Sequence, residues 1–404
     1  MDASANFPRP FVYGSIVVAL FILLGAAYFL VLQRTSEPAT ATIVFSGPLA
    51  LESTKGILQS VQLALDEVNY YTGNISLQLE VFEGGDETGA WDPQKEERNA
   101  NAAASIENVV AYFGPINSGA AKISMPILNM AGIVQISPAT TWPGLTKIGF
   151  LPGEPGVFYP TGVRHFVRVS TTDDLQGPAG AQWARDLGFN SVYIFDDGDA
   201  YGIGIAQLFE AEAKRRRIEV VGRASISSSS DFDAVAADIA KSNADLVYYG
   251  GTTPNGGPEL LIAIRSLDIK AAFMGPDGIF EEDFLMRAGN AAEGIYVTSV
   301  GIPPEEIKTE DAERYLEKYR SQFNKDPDVF GAMAYDAAKL LIEAIARTGS
   351  TDRAKILREV RGTRSYKGLS GTWGFDSNGD TTAKLISGSR VEEGRFTFIT
   401  DLSG

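Results

Sequence analysis

The sequence predicts two doubly wound α/β lobes that follow a single N-terminal transmembrane helix. Short β-branched or apolar runs alternate with amphipathic helical patterns, which is typical of βαβ units around a parallel sheet. The alternation occurs as two series, separated by a Gly-, Pro- and Thr-rich stretch at 138–161 that we interpret as a surface loop. Ahead of both series, the uncharged stretch 11–32 spans about 22 residues, enough to cross a hydrocarbon core as a helix.

The first series begins with a strand that runs into Ser46-Gly47-Pro48. The helix that follows is marked by apolar residues at spacings of three and four, namely Leu58, Val61, Leu65 and Val68. Predicted strands of this series lie at 42–45, 75–81, 109–113 and 133–136, and a further helix lies at 120–131.

The second series has predicted strands at 166–169, 191–195, 218–221, 246–249, 272–274 and 295–300. The predicted helices between them lie at 175–187, 201–217, 232–242, 257–267 and 280–288. Three more helical patterns follow at 309–323, 331–347 and 352–361, and then a strand-and-turn tail. Because doubly wound sheets bind ligands at the carboxyl ends of their strands, we expect a ligand between the two lobes.

The N-terminal region divides into a short tail at 1–10, a predicted transmembrane anchor at 11–33 and a linker at 34–41. A cleaved secretory signal is the alternative, since Ala39-Thr40-Ala41 resembles a small-residue cleavage site. The apolar run exceeds the ~7–15 residues usual for such signals, which favours the anchor. An anchor would hold an extracytoplasmic domain at the cell membrane, whereas cleavage would leave it secreted or periplasmic.

Composition excludes several classes of function. The formal net charge of -16 argues against a nucleic-acid partner, because phosphate binding needs a clustered basic surface. The absence of cysteine excludes disulfides, thiolate metal sites and thiol nucleophiles. His165 is the single histidine, so His-based catalytic triads and multi-histidine metal sites are nearly ruled out. Since G-x-S-x-G and phosphate-loop motifs are also missing, we expect no enzyme, no cofactor and no metal.

Acidic residues beside two of the predicted strands have structural interpretations. Asp196, Asp197 and Asp199 resemble calcium ligands in spacing, but the full loop pattern with its terminal glutamate is missing. We expect strand-end and helix-capping roles for them. Glu281 and Glu282 are adjacent at a helix start and do not face each other, so we interpret them as favourable partners of the helix dipole.

Loops that follow predicted strands carry the candidate binding residues. Ser118 lies at a predicted helix N-terminus, where backbone N–H groups favour an anion such as a carboxylate. Thr140 and Thr141 add hydroxyl donors after the next strand. Asp277 follows a strand of the second series and offers the charged acceptor that an amino group needs. Tyr201 adds a flat apolar face with a polar tip. Together these residues favour a small, amino-acid-like ligand.

Several short segments also resemble a known family in the same order along the chain. They are SGPLA (46–50), GPINSG (114–119), ISPATT (136–141), STTDDLQGP (170–178), DDGDAYGIGIA (196–206), DLVYYGG (245–251), FMGPDG (273–278), AGNAAEGIYVTS (288–299), AYDAAKLL (334–341) and GLSGTWGFDSNGD (368–380). Across 42 to about 380 the sequence resembles type I periplasmic solute-binding proteins, particularly those that bind leucine, isoleucine and valine for ATP-driven importers. Each motif alone is weak, whereas their collinear order is specific.

The resemblance implies roles for individual residues. Ser118, Ala139 and Thr141 would hold the carboxylate and ammonium groups of the ligand from the first lobe. Tyr201 and Asp277 would close on it from the second lobe. Phe330 matches an apolar wall residue of the family's pocket.

Three positions depart from the family pattern. Glu52 stands where leucine-type binders carry an aromatic residue, and Thr252 replaces a tyrosine. Asp277 is one methylene shorter than the glutamate usual there. Because a glutamate near the pocket would suit a cationic or amide side chain, we hypothesise a ligand more polar than leucine.

The resemblance further implies two Rossmann-like lobes joined by a three-strand hinge. Lobe 1 would comprise 42–168 and 302–366, and lobe 2 would comprise 169–301 and 367–404, with crossings near 169–171, 299–303 and 365–370. The implied function is capture of an amino acid for the permease of an ABC importer. A ligand-sensing receptor domain that signals through a partner protein is the alternative.

Overall fold

The computed structural model of the protein describes residues 38–404. The predicted tail, the predicted transmembrane anchor and all of the linker before residue 38 lie outside the described residues. Within 38–404, no helix is both long and apolar enough to cross a membrane.

A six-stranded sheet organises the first lobe, in the order β2-β3-β1-β4-β5-β6. Its strands are β1 (Ala39–Gly47), β2 (Tyr71–Thr72), β3 (Ile75–Glu83), β4 (Val109–Phe113), β5 (Val134–Ser137) and β6 (Phe166–Arg168). β1, β4, β5 and β6 pair in parallel, with Phe113 opposite both Phe45 and Ile136. The carboxyl ends of these strands therefore lie side by side.

Helices cover both faces of this sheet: α1 (Glu52–Asp66), α2 (Pro93–Ser105), α3 (Ser118–Ala131), α9 (Glu310–Phe323), α10 (Val329–Thr348) and α11 (Arg353–Arg361). α10 illustrates how capping residues define the start and the end of a helix. The Asp328 carboxylate caps its start by accepting from the Gly331 N–H at 2.6 Å, and Gly349 ends it in the left-handed conformation. Ile57 of α1 and Leu341 of α10 are fully buried in one apolar cluster with the sheet.

A seven-stranded sheet organises the second lobe, in the order β15-β14-β11-β10-β9-β7-β8. Its strands are β7 (Ser191–Asp196), β8 (Glu219–Ser225), β9 (Leu246–Gly250), β10 (Ala272–Gly275), β11 (Tyr296–Ser299), β14 (Ser387–Glu392) and β15 (Arg395–Asp401). β7 to β11 pair in parallel, whereas β14 and β15 add an antiparallel hairpin. Its helices are α4 (Asp173–Asp186), α5 (Ala200–Arg215), α6 (Phe232–Ser242), α7 (Gly257–Ser266) and α8 (Glu282–Ala288).

Every strand and helix predicted from the sequence has a counterpart in the structure, but α2 was not predicted. Its buried side chains are Glu96 and the small Ala100 and Ala103, so it lacks an apolar stripe of helical period. The sequence does carry its start signal, because Asp92 caps the helix and Pro93 takes its first position.

The stretch 138–161 is not only a surface loop. Trp142, Leu145, Phe158 and Tyr159 are buried there, in an apolar cluster that also contains Phe166. Burial of these large side chains keeps the stretch against the first lobe, and it positions the segment that follows β5.

Two stretches near the lobe boundaries belong to the first lobe. β6 is part of the second series of the alternation, and it pairs with β5 in the first sheet, within the predicted lobe 1 at 42–168. At the other end, β12 (Tyr366–Gly368) and β13 (Gly371–Trp373) form a small hairpin whose Tyr366 and Trp373 pack in the first lobe's core, together with Phe375. The chain therefore rejoins the second sheet only at β14, about twenty residues later than the boundary at 367 implies.

Candidate ligand-binding site

A cleft lies where the carboxyl ends of the two sheets face each other. Its volume is about 650 Å³, which includes solvent-filled space at its open side. The first lobe lines it with Leu51, Ser53, Ile57, Gly89, Ala90, Trp91, Ile116, Asn117, Ser118, Ala139 and Phe330. The second lobe lines it with Tyr201, Thr252, Pro254, Asn255, Asp277, Gly278 and Glu281.

Most residues singled out in the sequence meet in this cleft. Those that line it are Ser118, Ala139, Tyr201, Thr252, Asp277 and Phe330. Thr140 and Thr141 are buried beside Ala139, and within 38–404 neither hydroxyl has a hydrogen-bond partner. Six distant segments of the chain are therefore brought together.

The first-lobe side of the cleft is built on the start of α3. Ser118 opens this helix directly after the β4 loop, so the N–H groups of its first turn are free of helical partners. The Ser118 Oγ accepts from the backbone N–H groups of Thr141 and Trp142, both at 3.2 Å. These bonds fix the segment after β5 against the helix start, which leaves a site suited to an anion.

The second-lobe side is built on Tyr201 and Asp277. The Tyr201 hydroxyl donates to Asp277 Oδ1 at 2.7 Å and accepts from the Gly278 N–H at 3.1 Å. A Cβ at Gly278 would lie 2.8 Å from the tyrosine ring, so only glycine leaves room for this packing. Burial raises the pKa of the Asp277 carboxyl to about 6, because its charged form is desolvated.

The two lobes are in direct contact across the cleft. The Trp91 Nε1 donates to Asp199 Oδ2 at 2.5 Å, and the Glu52 N–H donates to Asp283 Oδ2 at 2.8 Å. Asp199 also caps α5 through the Ala200 N–H. The lobes thus have a closed arrangement, in which side chains of both meet around one space.

Comparison with known proteins agrees with this architecture. Residues 41–394 match the family model described as periplasmic binding protein. The chain is a type I periplasmic binding protein of the branched-chain amino acid family.

Relatives of this periplasmic binding protein cover nearly its whole described length. The Leu/Ile/Val-binding protein BraC3 of Rhizobium johnstonii is 26% identical over 353 residues, which are 87% of this chain and 90% of that protein. The crystal structure of the leucine-binding protein LivK from Thermotoga maritima has a TM-score of 0.77 at 25% identity, covering 89% of this chain and 98% of that one. The family implies a location outside the cytoplasm, and these relatives are binding proteins rather than enzymes.

The fold alone does not define the ligand in this periplasmic binding protein. A solute-binding protein from R. palustris in complex with benzoate has a TM-score of 0.75 at 17% identity, covering 90% of this chain and 96% of that one. Because one fold accommodates different ligands, the side chains of each cleft must be considered on their own.

Asp173 is a buried residue near Asp277 that the sequence did not single out and that does not itself line the cleft. It opens α4, is fully buried, and neither carboxyl oxygen has a hydrogen-bond partner within 38–404. Burial and then the nearby Asp277 raise the pKa of this carboxyl. The adjacent Asp174 instead pairs with Lys147 at 2.8 Å. The sequence does not distinguish these two adjacent aspartates, and only the fold shows that their environments differ.

Asp197 supports the second-lobe wall of this periplasmic binding protein from behind. Its Oδ2 accepts from the Thr252 N–H at 3.1 Å and from Asn255 Nδ2 at 2.9 Å, and its Oδ1 accepts from the Asp199 N–H at 3.0 Å. Burial raises the pKa of Asp197 to about 6. The strand-end and capping roles predicted for this acidic segment agree with these bonds.

Glu52, which the sequence placed near the ligand, does not line the cleft and lies in a neighbouring groove. Glu52 is the first residue of α1, and its carboxylate pairs with Lys55 at 2.6 Å and Lys325 at 3.0 Å outside the cleft. The next residue, Ser53, lines the cleft instead. Successive helix residues point about 100° apart, so a shift of one position decides which side chain faces the ligand.

Glu281 is the second acidic residue that lines the cleft, and the helix-dipole interpretation did not foresee this position. It is 9% exposed, precedes α8, and accepts from Ser53 Oγ at 3.0 Å across the lobes. Burial and then the nearby Asp283 raise the pKa of Glu281 to about 8.

Proposed function

We propose that this chain is the extracytoplasmic solute-binding protein of an ABC importer, and that it captures an α-amino acid in the inter-lobe cleft. The observation that carries this proposal is that hydrogen-bond donors for an anion lie on one wall of the cleft and a carboxyl group for a cation lies on the other. On one side, the free N–H groups of α3 and the segment at Ala139 suit a carboxylate. On the other, Asp277 suits an ammonium group.

Asp173 is a second buried carboxyl near Asp277, although it does not line the cleft. Burial and then the charge of Asp277 raise the pKa of Asp173. A cation bound at Asp277 would lower the cost of ionising both carboxyls, because an opposite charge favours the carboxylate form. Tyr201 keeps Asp277 oriented through its 2.7 Å hydrogen bond.

Ligand contacts with both lobes would couple binding to closure. A ligand shifts a conformational equilibrium only by its difference in affinity for the two states, and a cleft that closes around it supplies that difference. We infer that the closed form is what the membrane permease recognises. The uncharged segment 11–33 supports a single-pass anchor that would keep the domain near that permease.

The single histidine supports a binding role rather than catalysis. His165 is buried, contacts Asn129 through Nδ1 at 2.9 Å, and is not among the residues that line the cleft. Burial lowers its pKa to about 3, so it is uncharged at neutral pH.

Native mass spectrometry and calorimetric titration of the full-length chain test the proposal. We expect a co-purified mass of an α-amino acid, and an Asp277→Asn variant that binds it ~2–5 kcal/mol more weakly because the ligand ammonium loses its charged partner. Asp268→Asn is the matched control, since Asp268 is exposed and pairs only with Lys270 among the described residues. A chain that binds none of the standard amino acids, or an Asp277→Asn variant with unchanged affinity, would contradict the assignment.

A further inference from the structure

The ionisable groups of the cleft exceed what the α-carbon end of an amino acid requires. Among residues 38–404, the carboxyl groups that line the cleft belong to Asp277 and Glu281, and no lysine, arginine or histidine lines it. The α-ammonium group accounts for Asp277. Glu281 is therefore left to face some other part of the ligand.

Glu281 is held in a different surrounding from Asp277. Asp277 is bonded to Tyr201 within the second lobe, whereas Glu281 is bonded to Ser53 of the first lobe. Ser53 donates to Oε2 and lies on α1 one turn before the wall residue Ile57. The Glu281 carboxyl thus lies at the seam where the lobes meet, in the same cleft as the apolar side chain of Ile57.

Burial of Glu281 has a chemical consequence. A desolvated carboxyl gains most from a partner that donates hydrogen bonds, and more still from one that carries positive charge. The pKa of about 8 means that the carboxyl is largely protonated at neutral pH without such a partner. A purely aliphatic ligand side chain would leave it without compensation for its lost hydration.

A groove beside the cleft is also predominantly acidic. This groove of about 1310 Å³ shares Ser53 and Glu281 with the cleft. Its other acidic residues are Glu52, Glu282, Glu305, Asp326 and Asp328, and its basic residues within the described chain are Lys325 and Arg395. A groove in which carboxylates outnumber cations concentrates positively charged solutes near its walls.

We propose that the captured α-amino acid has a side chain ending in N–H donors, either an amide or a cation, and that Glu281 accepts a hydrogen bond from that group. This rests on the proposed function and names the ligand class of the same cleft. Glu281 thereby becomes the residue that sets side-chain specificity, while Asp277 recognises every α-amino acid alike.

Titration of the full-length chain with leucine, glutamine, asparagine, lysine and arginine tests the proposal. We expect at least one ligand with an N–H-bearing side chain to bind at least tenfold more tightly than leucine. Glu281→Leu should remove that preference, while Glu281→Gln should weaken a cationic ligand about tenfold and an amide ligand less. Glu282→Gln is the matched control, because Glu282 is exposed and lines the groove but not the cleft.

Proton release separates the two kinds of side chain. A cation that ionises Glu281 should release more protons at pH 7 than an amide ligand does, because the α-ammonium group is common to both, and the difference appears as a larger buffer-dependent heat of binding. Glu281→Gln keeps the shape of the carboxyl, and its melting temperature checks its folding. Tighter binding of leucine than of every N–H-bearing ligand, or a preference that survives Glu281→Leu, would overturn the inference and leave the proposed function standing. Failure of all amino acids to bind would instead overturn the proposed function.

Discussion

The two walls of the cleft differ in their chemistry. Within the described chain, the first-lobe residues that line it include no ionisable side chain. They offer the N–H groups of α3, the hydroxyls of Ser53 and Ser118, and apolar faces such as Ile57 and Phe330. The second-lobe wall contributes Tyr201 and both carboxyls of the cleft.

This difference assigns separate tasks to the lobes. The first wall suits a carboxylate and hydrocarbon, and it needs no change of protonation to bind them. The second wall suits positive charge, but burial raises the pKa of both Asp277 and Glu281, so closure around them is costly unless a donor compensates. We therefore expect closure over the acidic wall to depend on the ligand, whereas the neutral wall would provide a preformed surface.

The largest expected effect, on the free energy of unfolding, comes from removing the buried ion pair that supports the first wall. Arg168 is fully buried, pairs with Asp380 at 2.8 Å, and donates to the carbonyls of Thr140 and Trp142 at 3.3 and 2.7 Å. Burial alone would raise the pKa of Asp380, but Arg168 holds it below its usual value. Arg168→Met leaves Asp380 buried without its closest cationic partner, with Lys147 3.9 Å away, so we expect a loss of ~3–5 kcal/mol in the free energy of unfolding.

Urea denaturation measures this loss. Arg314→Met is the control, because Arg314 forms exposed pairs on α9 whose removal should cost below ~1 kcal/mol. Equal unfolding curves for the two variants would mean that the ion pair of Arg168 does not support the wall.

The fold of both walls could be predicted because it depends on local pattern. β4 and β10 are short buried runs, and each is followed within five residues by a residue of the site, which is why Ser118 and Asp277 could be located from the sequence. Because the carboxyl ends of parallel strands lie at one edge of a sheet, such positions can be predicted to be close without knowing any distant contact. The omission of α2 has the same origin, since a helix that buries mainly alanine leaves no apolar period to detect.

The seam between the walls could not be predicted in this way. Trp91, Ser53 and Glu281 reach the cleft only because one lobe closes on the other, and no local pattern encodes that approach. The clearest example is that Ser53, and not the predicted Glu52, lines the cleft. Both residues lie in the first turn of α1, and only the phase of the helix against the second lobe decides between them.

A smaller effect, on ligand affinity, should follow when one of the direct hydrogen bonds between the lobes is removed. Trp91→Phe keeps an aromatic ring against Gly119, where a Cβ would lie 2.5 Å from the tryptophan, but it deletes the donor to Asp199. Because this hydrogen bond has a charged acceptor, we expect ligand affinity to fall by ~1.5–3 kcal/mol as the closed form loses stability.

Calorimetry gives this affinity, and small-angle scattering of the ligand-bound chain gives the degree of closure. Trp183→Phe is the control, since Trp183 packs on Tyr296 inside the second lobe, away from the cleft. If Trp91→Phe and Trp183→Phe bound the ligand equally well, the contact between Trp91 and Asp199 would have no role in closure.

The smallest effect, a dependence of affinity on pH, separates the contributions of the two walls. With a pKa of about 6, Asp277 must lose its proton before it can pair with an ammonium group, so binding weakens as pH falls. We expect affinity about tenfold lower at pH 5 than at pH 7, or ~1.4 kcal/mol, with the raised pKa of Asp173 acting in the same direction. Asp277→Asn should reduce this slope. A flat profile would mean that the neutral wall alone carries the affinity, because a ligand carboxylate held by N–H groups does not titrate in this range.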